Sequence, residues 1–230
     1  MTGEVRRPVF LDADVLAAPM SRTVLILASL AGAGFVPRWS PLAEAEADRA
    51  LRPGQTKVSD LRQRFAWGTT VLIDAAPSRI LEMMTDTSET DRHIIAAAWQ
   101  AGITVVVTRN VHDFGRADLD RLGMAAVHPD AFAAAILTSS TYRTTLDAMS
   151  AGRLRPPNTP ESLHAALGVE HPRLFEAMRS VFPDVETRAS HDSPPAEVFR
   201  GNRCVVCGQE LTGPESLASG VCPECGKKSG

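Results

Sequence analysis

Through residues 8–132, short apolar runs rich in β-branched side chains alternate with stretches whose apolar positions recur at helical spacing. The run Pro8-Val9-Phe10-Leu11 closes on Asp12, and Ile103-Thr104-Val105-Val106-Val107 closes on Thr108. Runs with almost no polar face are what strands covered on both sides look like, so both read as strands of a parallel sheet. Helical spacing marks residues 21–31, 41–51 and 91–101. Alternation of this kind is the signature of βαβ units, and it predicts a three-layer α/β/α sandwich with a mostly parallel sheet. Residues 67–84 are ambiguous. Residues 69–73 fit a strand and 78–84, after Pro77, fit a helix, but short apolar runs cannot be typed by period alone. Val127, ahead of His128-Pro129, ends a last strand, because a residue before proline is biased towards extended backbone.

Beyond the α/β unit of residues 8–132, the pattern turns helical over 133–183, with breaks at Gly152 and Pro156-Pro157. Thr159-Pro160-Glu161 sets a capping residue before a proline at the first helical position, and His171-Pro172 opens another helix in the same way. Residues 184–203, including Ser193-Pro194-Pro195, hold few large apolar side chains and read as a linker. Residues 204–226 form a small C-terminal unit that contains all four cysteines.

With 230 residues, 44% hydrophobic and 22% charged, the chain can bury one sizeable core and carry a small appendage. A net charge of −3 gives no global attraction to nucleic acid, so any such binding needs a local basic strip. The opening Met1-Thr2-Gly3-Glu4-Val5-Arg6-Arg7 lacks the apolar centre of a signal peptide, and no apolar run approaches the roughly 20 residues of a membrane span. The expectation is a cytoplasmic protein that does not enter a membrane.

Four acids carry the candidate chemistry. Asp12 sits where the first strand ends, Glu46 lies within the helical stretch 41–51, Asp91 opens a helix, and Asp113 follows Thr108-Arg109-Asn110-Val111-His112. In an open α/β sheet ligands gather at the carboxyl ends of the strands, where these positions converge. Two unit charges about 4 Å apart repel by roughly 4 kcal/mol at an effective dielectric of about 20, so clustered carboxylates call for cations. Oxygen donors suit hard Mg²⁺ or Mn²⁺. Any one of these acids alone reads as a helix cap or a solvated loop residue; the ordered set predicts a divalent-metal site. Glu44 competes with Glu46, but residues two apart face opposite sides of a helix, and Leu42 and Ala50 as apolar companions favour Glu46.

The pairs Cys204-Val205-Val206-Cys207 and Cys222-Pro223-Glu224-Cys225, followed by Gly208 and Gly226, have the spacing of a Cys₄ zinc ribbon. Four thiolates complete a tetrahedron with no open position, so one structural Zn²⁺ is expected; two disulfides do not suit a cytoplasmic chain. Arg200, Arg203, Lys227 and Lys228 fit a ribbon that touches RNA and equally one that docks a protein.

Around the acids the chain resembles the PIN-domain family of metal-dependent nucleases, including VapC-type toxins, over residues 9–132. The resemblance rests on Leu11-Asp12-Ala13-Asp14-Val15-Leu16, on Trp39-Ser40 ahead of Glu46, on Asp91-Arg92-His93-Ile94-Ile95-Ala96-Ala97-Ala98, and on Thr108-Arg109-Asn110 followed by Asp113-Phe114. Arg155-Pro156-Pro157-Asn158-Thr159-Pro160 is similar to an extension found in one PIN subgroup. The resemblance implies an endoribonuclease in which Asp12, Glu46, Asp91 and Asp113 hold one or two Mg²⁺ or Mn²⁺ ions and the products carry a 5′-phosphate and a 3′-hydroxyl. By position, Asn110 and Thr108 read either as groups that orient a metal-bound water or as ordinary turn residues, and Arg109, beside the acids, either as a phosphate contact or as a solvated cation. The resemblance further implies an RNA substrate, a homodimer and, in a toxin, a small antitoxin that inserts a basic side chain among the acids. A processing or defence nuclease without antitoxin fits the same residues. Asp14 departs from the family, which usually has Asn or Thr there.

Two rivals stand beside this reading. Asp12-Ala13-Asp14 after a strand resembles the haloacid-dehalogenase phosphatases, but Leu16 stands where that pattern wants Thr or Val, and no matching lysine motif follows. An inactive PIN scaffold, using its ribbon as an adaptor for protein or RNA, is disfavoured by the presence of all four acids. His93, on a helix rich in alanine and isoleucine, reads as a packed or surface residue. Trp39, Trp67 and Trp99 read as core anchors rather than base-stacking platforms, and Arg116 and Arg121 as solvated.

Overall fold

The computed structural model describes residues 6–65, 78–153, 156–187 and 197–227. Strand β1 (Arg7–Leu11) runs straight into Asp12, which caps the short helix α1 (Ala13–Ala17), and Pro19 then starts α2 (Pro19–Leu30). After β2 (Phe35–Arg38), the Ser40 hydroxyl accepts the Ala43 amide at 3.1 Å and starts α3 (Pro41–Ala50). Next come α4 (Val58–Phe65), α5 (Ser78–Met83) and α6 (Glu89–Gln100). They lead to β3 (Val105–Val107), a single 3₁₀ turn (Val111–Asp113), α7 (Arg116–Leu122) and β4 (Ala125–Val127). The helical extension comprises α8 (Pro129–Ile136), α9 (Ser139–Ala151), α10 (Pro160–Glu170) and α11 (Pro172–Ala177). Strand β5 (Phe199–Gly201), α12 (Pro214–Ser219) and α13 (Pro223–Gly226) follow.

Among the described residues the sheet has five strands in the order β2-β1-β3-β4-β5, the first four parallel and β5 antiparallel. This is the mostly parallel α/β arrangement that the alternating pattern predicts. The chain steps from β1 outwards to β2, then returns past β1 to β3. With right-handed crossovers that reversal sets α2 on one face and α6 and α7 on the other. The reversal also makes the carboxyl ends of β1 and β3 the topological switch point, the place where α/β sheets open a crevice. There the Asp12 amide donates to Val107 O at 3.0 Å and the Thr108 amide to Val127 O at 3.0 Å, which fixes the strand ends abreast. Val9, Leu11, Val105, Val106 and Val107 are fully buried, as strands covered on both faces must be.

The extension packs on the α2 side, where α9 lies along α2 and α8 meets α11. Asp130 locks the latter pair by accepting the amides of Arg173 and Leu174 at 3.1 and 2.9 Å. The breaks expected at Gly152 and Pro156-Pro157 fall between α9 and α10, and Thr159 caps α10 with Pro160 at its first position.

Four points of the sequence reading are corrected. Strand β2 was not apparent in the sequence because Pro37 interrupts its pattern; a sheet edge tolerates a proline since no neighbour needs its amide. Helix α6 begins at Glu89, so Asp91 is its third residue rather than its opening one. Val127 ends β4 as expected, but β4 is not the last strand, and residues 184–203 are not all linker. Phe199–Gly201 pairs with β4, Val127 opposite Phe199, and the His128 amide donates to Val198 O at 2.8 Å. Of the ambiguous stretch, 78–83 is helical, whereas Trp67 and residues 69–73 lie outside the described residues.

The cysteine unit is docked rather than tethered. Cys204, Val205, Leu211 and Cys222 are buried in the same apolar cluster as the sheet. The Arg7 guanidinium, at the start of β1, donates to Cys204 O at 3.0 Å and to Thr104 Oγ1 at 2.6 Å. Gly208 turns the first knuckle at φ +79, and a Cβ there would meet that guanidinium at 2.6 Å. Among the described residues no helix is long and apolar enough to cross a membrane.

Candidate active site

Asp12 leaves β1 with extended backbone, and its Oδ1 accepts the amide of the adjacent Ala13 at 2.6 Å, short of the second or third helical amide that a capping side chain usually takes. Its surroundings are not ordinary, because the residue is only 5% exposed. Burial, reinforced by the charge of Asp14 and more weakly by Asp91, pushes its pKa up to about 8, while bonds from Thr108 and Ala13 pull the other way.

Asp14 was the departure from the family pattern, and it stands beside Asp12 at one end of the site. Its Oδ2 accepts the Arg109 amide at 2.9 Å and the Thr108 hydroxyl at 3.3 Å, which ties α1 to the end of β3. Its Oδ1 is buried and has no hydrogen-bond partner among the described residues. Burial raises Asp14 to about 6 even though Arg109 and Thr108 favour the ionised form. Two acids straddling the end of a strand are a readable signal in the sequence. Their mutual burial depends on β3 arriving beside β1.

Asp91 is half-buried near the start of α6, where Ser88 caps the helix and its hydroxyl donates to Asp91 Oδ2. Burial raises the Asp91 pKa and the charge of Asp113 adds to it, with the Ser88 bond opposing. Asp113 lies on the 3₁₀ turn with a side chain 38% exposed and 3.2 Å from His112 Nε2. Its carbonyl accepts the Ser88 amide at 3.1 Å, so the turn and the cap of α6 hold each other. Asp14, Asp12, Asp91 and Asp113 thus form a row of electrostatically communicating carboxylates across the switch point.

Glu46 is not tied into that row. It is half-buried on α3, which packs against α1, and has no hydrogen bond or ion pair among the described residues. Glu44 is committed elsewhere: its Oε2 accepts from Trp39 Nε1 at 2.9 Å and from Arg62 Nε at 2.9 Å. The register argument from Leu42 and Ala50 fails, since both are exposed and the buried stripe of α3 is Ala43 and Ala47. The two glutamates flank that stripe from opposite sides.

Asn110 is exposed; its amide donates to Thr108 Oγ1 at 3.1 Å and its carbonyl accepts the Asp113 amide at 3.0 Å. Arg109 is exposed beside Asp14. Behind it lie His171 and His128. Burial, with the charges of Arg109 and Arg173, lowers His128 to about 4; burial, with His128 and Arg109, lowers His171 to about 4. His171 Nε2 is 2.9 Å from the Ser21 hydroxyl. His93 is exposed on α6, Trp39 is buried and Trp99 largely exposed. Arg116 and Arg121 meet Glu197 and Asp118 at 3.7 and 3.6 Å, so neither is simply solvated.

The row has the chemistry of a hard-cation site: an oxygen-only donor set, a carboxylate whose pKa is raised by burial and then by neighbouring carboxylates, and a buried Asp14 oxygen with no donor to satisfy it. The residues therefore fit Mg²⁺ or Mn²⁺, although no three acids of the row draw together as tightly as the cysteines do among the described residues. The ligand atoms of Cys204, Cys207, Cys222 and Cys225 lie within 4.8 Å of one another. Cys204 Sγ accepts the Cys222 amide at 3.4 Å and lies among further amides of the knuckle. Against the opposing cost of burial, they bring the Cys204 thiol down to about 7. Four soft sulfurs in that compass are compatible with a zinc ion.

Fold and site together define an α/β protein with a row of acids at its switch point and a cysteine quartet at the far end of its sheet. No family model matches the chain, and no solved structure matches it. Over 95 residues it is 34% identical to a Mycobacterium tuberculosis protein named "Putative ribonuclease VapC50". The match covers 40% of this chain and 56% of that protein, so the chain spans little more than half the length of its relative.

Proposed function

We propose that the chain is an endoribonuclease that uses Mg²⁺ or Mn²⁺ and holds one further, structural Zn²⁺. The observation that carries this reading is the pair Asp12 and Asp14, both raised by burial and Asp12 further by the charge of Asp14, with Asp91 beside them, at the switch point of a parallel sheet. Partial identity to a protein named as a ribonuclease supports the same substrate class.

In this reading Asp12, Asp91 and Asp113 hold the ion, with Asp14 as an added donor and Glu46 closing the site from α3. A divalent cation bound there would supply positive charge against the scissile phosphate and make water acidic enough to attack at neutral pH. Asp12 must give up its proton for the site to fill. Ser88 and Thr108 fix the rotamers of Asp91 and Asp14 through hydroxyl bonds. Asn110 orients water at the mouth of the site, and Arg109, exposed with its amide already pinned to Asp14, meets an RNA phosphate. The four cysteines hold zinc with no open ligand position.

A toxin role, with an antitoxin covering the acids, a homodimeric assembly and a cytoplasmic location, extends the same reading by analogy. A phosphatase needs a lysine beside Asp12 and Asp14, and among the described residues none fits. Lys57 precedes α4, and Lys227 follows α13 in the cysteine unit. The test is to incubate the zinc-loaded chain with single-stranded RNA with and without Mn²⁺ or Mg²⁺, then type the ends of the products. Cation-dependent internal cuts leaving 5′-phosphates support the reading. Cleavage that leaves 2′,3′-cyclic phosphates without added cation would reject it.

A further inference from the structure

Arg200 lies on β5, and its side chain is only 23% exposed. Its Nη1 donates to His112 O at 2.8 Å and to Phe114 O at 3.1 Å, the two carbonyls that flank Asp113. Its Nε and Nη2 grip Glu197 Oε2 at 2.7 and 2.6 Å, and Glu197 also meets Arg116 at 3.7 Å. A guanidinium can bridge two carbonyls and a carboxylate at once because its donors form a rigid planar fork. The turn that it holds passes the constraint on: Asp113 O accepts the Ser88 amide, and Ser88 caps the helix that presents Asp91.

Strand β5 is itself pinned at both ends. On the acid side, the His128 amide bonds Val198 O. On the other side the chain enters the first cysteine knuckle at Cys204, clamped to the beginnings of β1 and β3 through Arg7 and Thr104. The cysteine quartet therefore sits at the amino ends of the parallel strands, and the acids sit at their carboxyl ends. A five-residue strand such as β1 spans roughly 13 Å at about 3.3 Å per residue, so the quartet is well removed from anything bound at the acids.

We infer that Arg200 is a positioning residue for Asp113, and that the cysteine unit serves the acidic site by holding β5 and its arginine in the sheet rather than by contacting substrate. This rests on the reading of the acids as a nuclease site.

The experiment uses the full-length, zinc-loaded chain with Arg200→Met, Arg200→Lys, Glu197→Gln and, as control, Asp12→Asn. Arg200→Met is expected to lower kcat on a short RNA about 10- to 100-fold, the scale set by small misplacements of a reacting group, with KM changed by no more than about twofold. Zinc content should stay at one per chain. Amide exchange at Ser88, Asp113 and Phe114 should quicken even without Mg²⁺ or Mn²⁺, and Arg200→Lys should recover part of kcat because an ammonium still reaches one carbonyl. Wild-type kcat and exchange in Arg200→Met would overturn the inference, as would a raised KM with unchanged kcat, the mark of direct RNA contact. If Arg200→Met does not fold, Glu197→Gln decides: slowed turnover with faster exchange at the turn supports the role, and wild-type values overturn it. Asp12→Asn separates the two layers. Undiminished cleavage by that variant sinks the nuclease reading itself, whereas its inactivity beside a fully active Arg200→Met sinks only the role of Arg200.

Discussion

Replacing Asp12 by Asn should change how stability depends on pH, and the sign follows from burial. The carboxyl has an ordinary value of 3.8 and stands at about 8 in the folded chain. From pH 3.8 to about 8 the unfolded chain has lost this proton while the folded chain keeps it, so stability falls as pH rises and levels off beyond. His128 and His171 act in the opposite sense, because their values drop from 6.5 to about 4; stability rises with pH through that interval and is unaffected by them above 6.5. Asp14, at about 6, has finished its own loss by then. The interval from 6.5 to 8 therefore isolates Asp12. At about 1.4 kcal/mol per pH unit it corresponds to a loss of about 2 kcal/mol. Urea unfolding at several pH values, in buffer free of Mg²⁺ and Mn²⁺ with zinc kept bound so that the cysteines do not titrate, measures the loss directly. Wild type should lose that stability and Asp12→Asn should not. Mn²⁺ should restore wild type at pH 8, its affinity falling about tenfold for each unit below pH 8, because binding displaces a proton. Parallel pH profiles for wild type and variant would mean that the Asp12 carboxyl is already ionised at neutral pH, and the reasoning would fail.

Three further outcomes are expected. Glu46→Gln should depress RNA cleavage with unchanged stability. Glu44→Gln, which weakens the bonds to Arg62 and Trp39, should cost up to about 1 kcal/mol in urea while the folded protein keeps its activity; the reverse ranking would assign the active glutamate wrongly. Elemental analysis should find one zinc per chain. Because Cys204 and Val205 are buried against the sheet, Cys204→Ser should lower a single cooperative melting transition rather than unfold a separate tail, and two well-separated transitions would contradict the docked arrangement. Burial raises the pKa of Asp118, but the amides of Thr85, Asp86 and Thr87 outweigh it and hold the carboxyl below its usual range. The stability that this brings is present above about pH 4 and is lost on acidification, so Asp118→Asn should destabilise the protein at neutral pH by about 1–3 kcal/mol and flatten its acid denaturation.

The parallel core was legible because β1 and β3 are apolar on both faces, and the row of acids was legible because Asp12 and Asp14 follow the end of β1, Asp91 lies near the start of α6 and Asp113 follows β3. What stayed hidden is tertiary. Strand β2 carries Pro37, which argues against a strand until the sheet edge is known. Strand β5 is too short to show a period, and its partner β4 lies far away in the chain. The register of α3 was misjudged because its buried residues, Ala43 and Ala47, are small ones that let α1 approach closely, while the larger Leu42 faces solvent. Asp14 read as a departure from the family, and only the arrival of Thr108 and Arg109 beside it shows an acid bonded on one oxygen and unsatisfied on the other. Arg200 read as a surface cation for RNA or for a docked protein alike, although its donors are spent on Glu197 and on two carbonyls.

The most direct measurement is the cleavage of a labelled single-stranded RNA by the full-length, zinc-loaded chain at saturating Mn²⁺, with wild type, Asp12→Asn and Asp91→Asn compared side by side at matched folded concentration. The account predicts turnover by wild type that stops when Mn²⁺ is omitted, and a loss of at least about 100-fold in each variant while circular dichroism and zinc content stay unchanged. Equal turnover by wild type and both variants, or wild-type turnover indifferent to Mn²⁺ and Mg²⁺, would contradict it.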